Sequence, residues 1–499
     1  MMAELSAKDS EIQELNAEGQ LTAVFRYDAG TRTVQVHHTQ SSVSNGVSSL
    51  RRLMDVFLPA GYPSSVTPDY TPYQIYDTLQ AFASTIAGLL ASRAVLVGMG
   101  VGDEQASLVT TMLLYIAQET IGRFATILFA HRFSQRIEAE VKFYRFFADI
   151  VNDTAFVLDC LSPGLPVLGR LCALCVSNAC RAVCGVAGGS SKAILSAHFA
   201  KAGNIGELNA KDGSQETVVS LVGMWLGGLV ISKVQGAFET WCCLIPLLML
   251  HLWANWKAVK SVRLTSLNTE RATILFGALL QGRDISLDKV GEHEPILGLS
   301  RIFSLQPKLF QAGVSVTAFL RALPEAVTTT ESRQYAALVG LLKVFQDEDY
   351  LLWFNRETHQ GVVLLKDTST NETQAKSFCH FLRVSAQTQQ LQGKPKGSQQ
   401  ANYLKQGQRP LTSDEDSIQT TGKEDVGIRS QASSERQNSD RMHHHEPLCE
   451  SLHRNREEWP KVREQIERAG WDLSLTNLVG GRYHRIRTND SPFDTKKDQ

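Results

Sequence analysis

The feature that most constrains this chain is a pair of apolar runs, Thr217–Ser232 and Thr240–Trp256, with Lys233 and Glu239 the only full charges between Thr217 and Trp256. Each run is 16 or 17 residues, so as a helix each covers roughly 25 Å. That is just short of the ~30 Å hydrocarbon core of a bilayer. Trp241, Trp253 and Trp256 stand at the run ends, as interfacial aromatics do, which favours a membrane hairpin over a soluble bundle of buried helices.

Further apolar segments precede this pair. Leu79–Val101 is broken only by Arg93, and Ala106–Ala130 carries only Glu119 and Arg123 as charges. Val141–Leu161 is amphipathic and contains Asp149, Asp153 and Asp159; Pro163 and Pro166 end it. Leu168–Val186, rich in small residues, reads as an apolar helix running into Gly185, Gly188 and Gly189. Before all of these, LPAGYPSSVTPDYTPYQIYD places prolines at 59, 63, 68 and 72, which predicts an extended lead-in.

The rest of the chain is unlike this middle. Leu21–Asp28 and Thr31–His38 alternate apolar with polar residues and predict a hairpin, followed by a Ser-rich linker, Ser41–Ser49. Asp349–Arg356 and Gly361–Asp367 predict a second hairpin, with an amphipathic helix over Thr373–Val384. Gln387–Asp440 is Gln, Ser, Lys and Asp with hardly an aromatic, a composition too poor in apolar surface to fold. A last helix is expected over Glu457–Ala469. The expected class is therefore mainly α: a multi-helix, membrane-embedded domain, a small α+β C-terminal domain and a disordered insertion. The expected divisions are 1–50 (hairpin and linker), 51–280 (helical membrane domain), 281–386 (small α+β domain), 387–445 (disordered tail) and 446–499 (closing helix and GW segment).

Composition excludes several classes. Lys and Arg total 50 against 51 Asp and Glu, a net charge of −1, so no nucleic-acid footprint is expected. MMAELSAKDSEIQELN carries acids and no apolar run, unlike a secretory signal or import presequence. The nine cysteines are expected as reduced thiols. Cys172, Cys175, Cys180 and Cys184 do not form a zinc site, since on one helix the outer two stand about 18 Å apart.

Two groups of residues could carry chemistry. In CGVAGGSSKAILSAHFAKAGNIGELNAKDGSQET, Gly185, Gly188 and Gly189 precede Ser190, Ser191 and Lys192, with His198 and Lys211 further on. Flexible backbone and hydroxyls at a helix N-terminus can hold a phosphate. Helix capping by Ser190 or Ser191 is the other reading, and Asp212 with Gln215 reads as a cap for the next helix. The second group is polar residues within apolar helices: Arg93, and Asp149, Asn152 and Asp153 on one helix. Asp149 and Asp153 share a face and could bind a cation, an amine or a proton. Arg145, four residues before Asp149, offers a plain ion pair instead. Gly223 and Gly227 form a G-x-x-x-G step suited to close helix packing. No catalytic pairing is present at a defensible spacing, so no catalytic residue and no metal site are assigned.

Four stretches resemble one family together: LPAGYPSSVTPDYTPYQIYDTLQAF, ADIVNDTAFVLD, the Cys184–Thr217 segment and HLWANWKAVKSVRLTSLN. They span about 58–268 and are similar to the root UVB sensitive family. DEDYLLWFNRETHQGVVLLKD and Gly470–Trp471 resemble its carboxy-terminal part more loosely. Trp256 stands where the family's motif has tyrosine, and the Gln/Ser insertion has no family counterpart. The resemblance implies a membrane-associated factor linked, in plants, to ultraviolet-B responses and vitamin B6 balance. It implies a lipid membrane, another family member or a second copy as partners, and pyridoxal phosphate as a possible ligand without any certain cofactor. Plant members are associated with plastids; the chain has nothing like a transit peptide, so an intracellular membrane is expected with no organelle assigned. A transporter-like or scaffolding factor is the first expectation. The second is a soluble or peripheral enzyme acting on a phosphorylated vitamer, with Lys192 or Lys211 holding phosphate or aldehyde.

Overall fold

A computed structural model describes residues 11–15, 21–28, 33–38, 56–98, 108–201, 203–234, 236–283, 285–297, 309–323, 331–391, 433–478 and 483–487. The chain divides into two compact units, Met1–Ile137 with Val141–Val262, and Glu138–Glu140 with Arg263–Gln499.

The first unit opens with an antiparallel sheet of β1 (Glu11–Leu15), β2 (Leu21–Asp28) and β3 (Thr33–His38). The hairpin expected from alternation is β2–β3, with Phe25 opposite Val36. Strand β1, inside the acidic opening segment, adds to β2. The Ser41–Ser49 linker lies outside the described residues.

Long helices follow: α1 (Tyr70–Gly98), α2 (Leu108–Ala139), α3 (Val141–Leu161), α4 (Val167–Phe199), α5 (Ile205–Lys233) and α6 (Ala237–Ser261). Helix α1 begins inside the proline-rich segment expected to be extended. Pro72 falls in its first turn, where the backbone N–H has no intrahelical acceptor and the fixed φ of proline suits a helix. Ahead of it the chain is tied to the end of α4, with Thr67 N donating to Phe199 O at 3.0 Å and Lys201 N to Ser65 O at 3.1 Å. Pro163 lies in a short 3-10 turn and Pro166 caps the N-terminus of α4.

Helix α1 packs on α3, α5 and α6, and α3 packs on α4 and α6. The approach of α5 to α1 needs the two glycines of the G-x-x-x-G step. A Cβ at Gly223 would lie 3.0 Å from Thr85, and one at Gly227 would lie 2.6 Å from Leu89. The expected close packing is present. Helices α1, α4, α5 and α6 are each long and apolar enough to cross a membrane. The apolar runs 217–232 and 240–256, which looked marginally short, lie within longer helices, the first at the C-terminal end of α5.

In the second unit, α7 (Thr269–Leu279) is capped by the Asn268 side chain, which accepts from Arg271 N. After α8 (Leu287–His293) come β4 (Phe310–Ala312), α9 (Val316–Ala322), α10 (Glu331–Val344), β5 (Tyr350–Asn355), β6 (Gln360–Lys366), α11 (Asn371–Leu391), α12 (Ser433–Arg468) and β7 (Arg485–Ile486). The predicted β5–β6 hairpin is present and antiparallel, and β4 and β7 both pair with β6 in parallel. Phe276, Phe310, Phe345, Tyr350, Phe378, Phe381, Trp459 and Ile466 fill one core.

Two helices exceed their expected bounds. Helix α11 runs to Leu391 rather than Val384, and α12 starts at Ser433 rather than Glu457, so both ends of the segment expected to be structureless are helical. Residues 392–432 of that segment lie outside the description. Burial of Leu448, Leu452, Trp459, Val462 and Ile466 on one face anchors α12, and i,i+4 pairs such as Arg454–Glu458 and Arg463–Glu467 support its other face.

His380 ties α11 to both neighbours and is fully buried. Ser451 Oγ donates to Leu448 O, so it accepts from His380 Nε2–H at 2.9 Å; Nδ1 then accepts from the Tyr350 hydroxyl at 3.1 Å. The imidazole is thus held neutral. Burial, helped by Arg383 and Lys376, pushes its pKa down to about 3. The stability that goes with this neutral ring is fully present above the unfolded pKa of about 6.5. It is lost as pH falls from there towards 3, at about 1.4 kcal/mol per pH unit. Melting of the full chain across this window should show that slope, and His380→Gln should flatten it. An unchanged slope in the variant would assign the acid sensitivity elsewhere.

Candidate functional site

The interior of the helical unit is polar at its centre. Helix α1 supplies Tyr73, Asp77 and Gln80, α3 supplies Arg145, Asp149 and Asp153, and α6 supplies His251 and Asn255. The spacings 73/77/80, 145/149/153 and 251/255 each place their residues on one helical face. All eight are at least 91% buried.

Arg145 is the hub. Its Nη2 donates to Asp77 Oδ1 at 2.6 Å and to Gln80 Oε1 at 3.1 Å, and its Nε donates to the Tyr73 hydroxyl at 3.2 Å. Its Nη1 reaches Asp149 Oδ1 at 3.5 Å, so the intrahelical pair expected from spacing exists but is the longer of its two ion pairs. Asp149 Oδ2 accepts from both Gln80 and Asn255. His251 stands between two carboxylates, Nε2 3.7 Å from Asp149 Oδ2 and Nδ1 2.7 Å from Asp153 Oδ1. The second pair stands at hydrogen-bond distance, and Gln80 Nε2 donates to His251 Nε2 at 3.3 Å. Asp153 Oδ2 and Asn255 Oδ1 have no hydrogen-bond partner among the described residues.

A second polar group joins α1, α4 and α5. Lys192 Nζ lies 2.6 Å from Asp212 Oδ2 and 2.5 Å from Glu216 Oε1. Gln74 donates to Asp212 and to Gln215, the latter at 2.9 Å. Carboxylate oxygens of Asp77, Asp212 and Glu216 converge within 4.8 Å, a spacing that a metal ion could bridge, but the Lys192 ammonium already bonds two of the three. Nearby, His198 Nε2 meets Asp69 Oδ2 at 2.9 Å.

This geometry corrects the reading of Gly185–Lys192. The segment is the interior of α4, which runs unbroken from Val167 to Phe199. Its backbone N–H groups are committed within the helix, so neither a phosphate cradle nor an N-cap forms there. Gly185 and Gly189 face open space, and Gly188 lies beside Ala148. Ser190 is half-buried; Ser191 is buried and donates back to Ala187 O at 2.7 Å. Small residues kept one apolar helix continuous where glycine and serine looked like a break. Lys192 is claimed by two carboxylates, which repel an anion. Asp212 likewise lies inside α5 rather than capping it, because that helix starts at Ile205. Lys211 is half-buried on the same helix.

Of the polar group, Asp149 and Asp153 are brought together as expected. Asn152 is half-buried and joins none of their bonds, and Arg93 donates instead to the Val234 carbonyl beyond the end of α5. Sequence reasoning missed Asp77, Gln80, His251 and Asn255. Their signal was available: polar residues three or four apart on otherwise apolar helices.

Residues 44–283, which hold this whole polar interior, match the family described as the vitamin B6 photo-protection and homoeostasis domain. The chain is 34% identical to protein root UVB sensitive 3 of Arabidopsis thaliana over 336 residues, 66% of this chain and 74% of that protein. The chain belongs to the root UVB sensitive family. It is also 38% identical over 269 residues to RUS family member 1 of Dictyostelium discoideum, covering 53% of this chain and only half of that protein. Protein root UVB sensitive 2, chloroplastic, of A. thaliana is 25% identical over 302 residues. No solved structure matches the chain. Family membership links this helical unit to vitamin B6 and the ultraviolet-B response, and within that unit the buried cluster is the densest collection of ionisable groups described above.

Proposed function

We propose that this root UVB sensitive protein is an integral membrane protein acting as a transporter-like factor in vitamin B6 homeostasis. The observation that carries this reading is an inverted distribution of polarity. Trp225 and Leu229 on α5 and Met249 on α6 are 75%, 66% and 68% exposed, while the charges of Asp77, Arg145, Asp149 and Asp153 are enclosed. Water would penalise such an apolar exterior, whereas lipid favours it. Ionisable residues inside a membrane bundle, facing one another, are the usual mark of a solute or ion path. The competing enzyme reading loses Lys192 as its anion site, because that ammonium already bonds two carboxylates.

An alkaline carbonate wash should leave the protein in the membrane pellet; release into the supernatant would defeat the membrane reading. Vesicles reconstituted with the protein should then take up labelled B6 vitamers faster than protein-free vesicles. Equal uptake by pelletable protein would leave the bundle as a scaffold.

A further inference from the structure

The buried cluster carries more negative charge than its partners neutralise. Three carboxylates, Asp77, Asp149 and Asp153, face one guanidinium, Arg145, and one imidazole, His251. With His251 protonated, the ionised set still has one negative charge in excess; with His251 neutral it has two. Tyr73 and Asn255 add hydroxyl and amide groups, and Cys184 of α4 adds a nearby thiol. None of these supplies a permanent positive charge, and on the Asp77 side Lys192 sets one positive charge against the two negative charges of Asp212 and Glu216. Uncompensated charge in so enclosed a place is expensive enough that a group takes up a proton instead.

Independent of that count, the unmatched atoms lie at one end of the cluster. Asp153 Oδ2 and Asn255 Oδ1 are buried acceptors without a hydrogen-bond donor among the described residues, beside the His251 ring whose Nδ1 stands 2.7 Å from Asp153 Oδ1. Such acceptors are satisfied by an added donor, and an acid proton is the smallest.

We propose that Asp153 and His251 form a proton-binding site inside the bundle, and that H⁺ is the ion coupled to its transport. The inference rests on the transport reading for its role, but the proton site stands without it. Gln80 Nε2 donates to His251 Nε2 at 3.3 Å, so the ring proton sits on Nδ1, which stands 2.7 Å from Asp153 Oδ1. A proton taken up at Asp153 is added to that pair, and nothing is oxidised or reduced. Arg145 holds Asp77 and Asp149 on the far side and keeps Asp149 ionised, so the proton rests on the Asp153 side.

The test is infrared titration of the purified full chain in detergent. At neutral pH, exposed carboxylates are ionised, so any protonated-carboxyl C=O stretch reports a buried acid. The wild type should show such a band, shifting in D₂O. Asp153→Asn should abolish it, and His251→Gln should displace it. Melting curves of both variants establish that they fold. No protonated-carboxyl band in the wild type overturns the proposal, as does a band that survives in Asp153→Asn and stays in place in His251→Gln. A band that vanishes on adding sodium or potassium at fixed pH would assign the site to a metal cation and overturn the proton. The spectrum is read in micelles whatever carbonate washing shows, so failure of the proton site and failure of the membrane reading are separate results.

Discussion

Arg145→Met should destabilise the helical unit by about 3–5 kcal/mol, the cost of stripping one partner from buried ion pairs. The guanidinium binds Asp77, Gln80 and the Tyr73 hydroxyl and reaches Asp149, so its loss strips two enclosed carboxylates of their guanidinium partner. Arg145→Lys should recover only part of the loss, since a single ammonium cannot reproduce a planar fork aimed at acceptors on both α1 and α3. Adding Asp77→Asn to Arg145→Met should restore some stability by removing one stranded charge. Thermal melting in detergent measures all three. If Arg145→Met melted within about 1 kcal/mol of wild type, as a surface change would, the cluster would not be organised around this residue.

The largest effect in the second unit is expected from Phe378→Ala, a loss of about 3–5 kcal/mol. Phe378 is 1% exposed, and its ring centroid lies 4.8 Å from that of Phe310, 5.9 Å from Phe381 and 6.3 Å from Phe276. One truncation therefore opens a void shared by α7, β4 and α11. Gly361→Val probes the same core from the opposite direction. A Cβ at Gly361 would stand 2.3 Å from Phe381, so overpacking should cost about 1–3 kcal/mol. Denaturant unfolding followed by tryptophan emission reports on this unit through Trp353, Trp459 and Trp471, all buried. Near-wild-type unfolding of Phe378→Ala would show that these rings do not share one cooperative core.

The sequence by itself determined the helices and the class. Apolar runs, prolines at 163 and 166, and two apolar stretches joined by a polar loop at 350–366 are local signals, and they marked α3, the turn before α4 and the β5–β6 hairpin close to their observed bounds. The G-x-x-x-G step at Gly223 and Gly227 foretold a close helix approach, because absence of a side chain is itself a packing instruction. The pairing of Asp149 with Asp153 was also legible, since i,i+4 spacing fixes a shared face on any helix.

Only the tertiary structure decided what those faces meet. Asp77, Arg145 and His251 are far apart in the chain, and their convergence depends on which faces of α1, α3 and α6 pack together. Gly188–Lys192 shows the reverse: locally it reads as a break, yet packing keeps it helical because the alternative would expose unpaired backbone inside an apolar segment. Proline at 72 was misread for a related reason, since whether a proline ends a helix or starts one depends on where the first turn falls. Local chemistry fixes the elements, while the partner of each buried charge is set by long-range packing that no short stretch of sequence encodes.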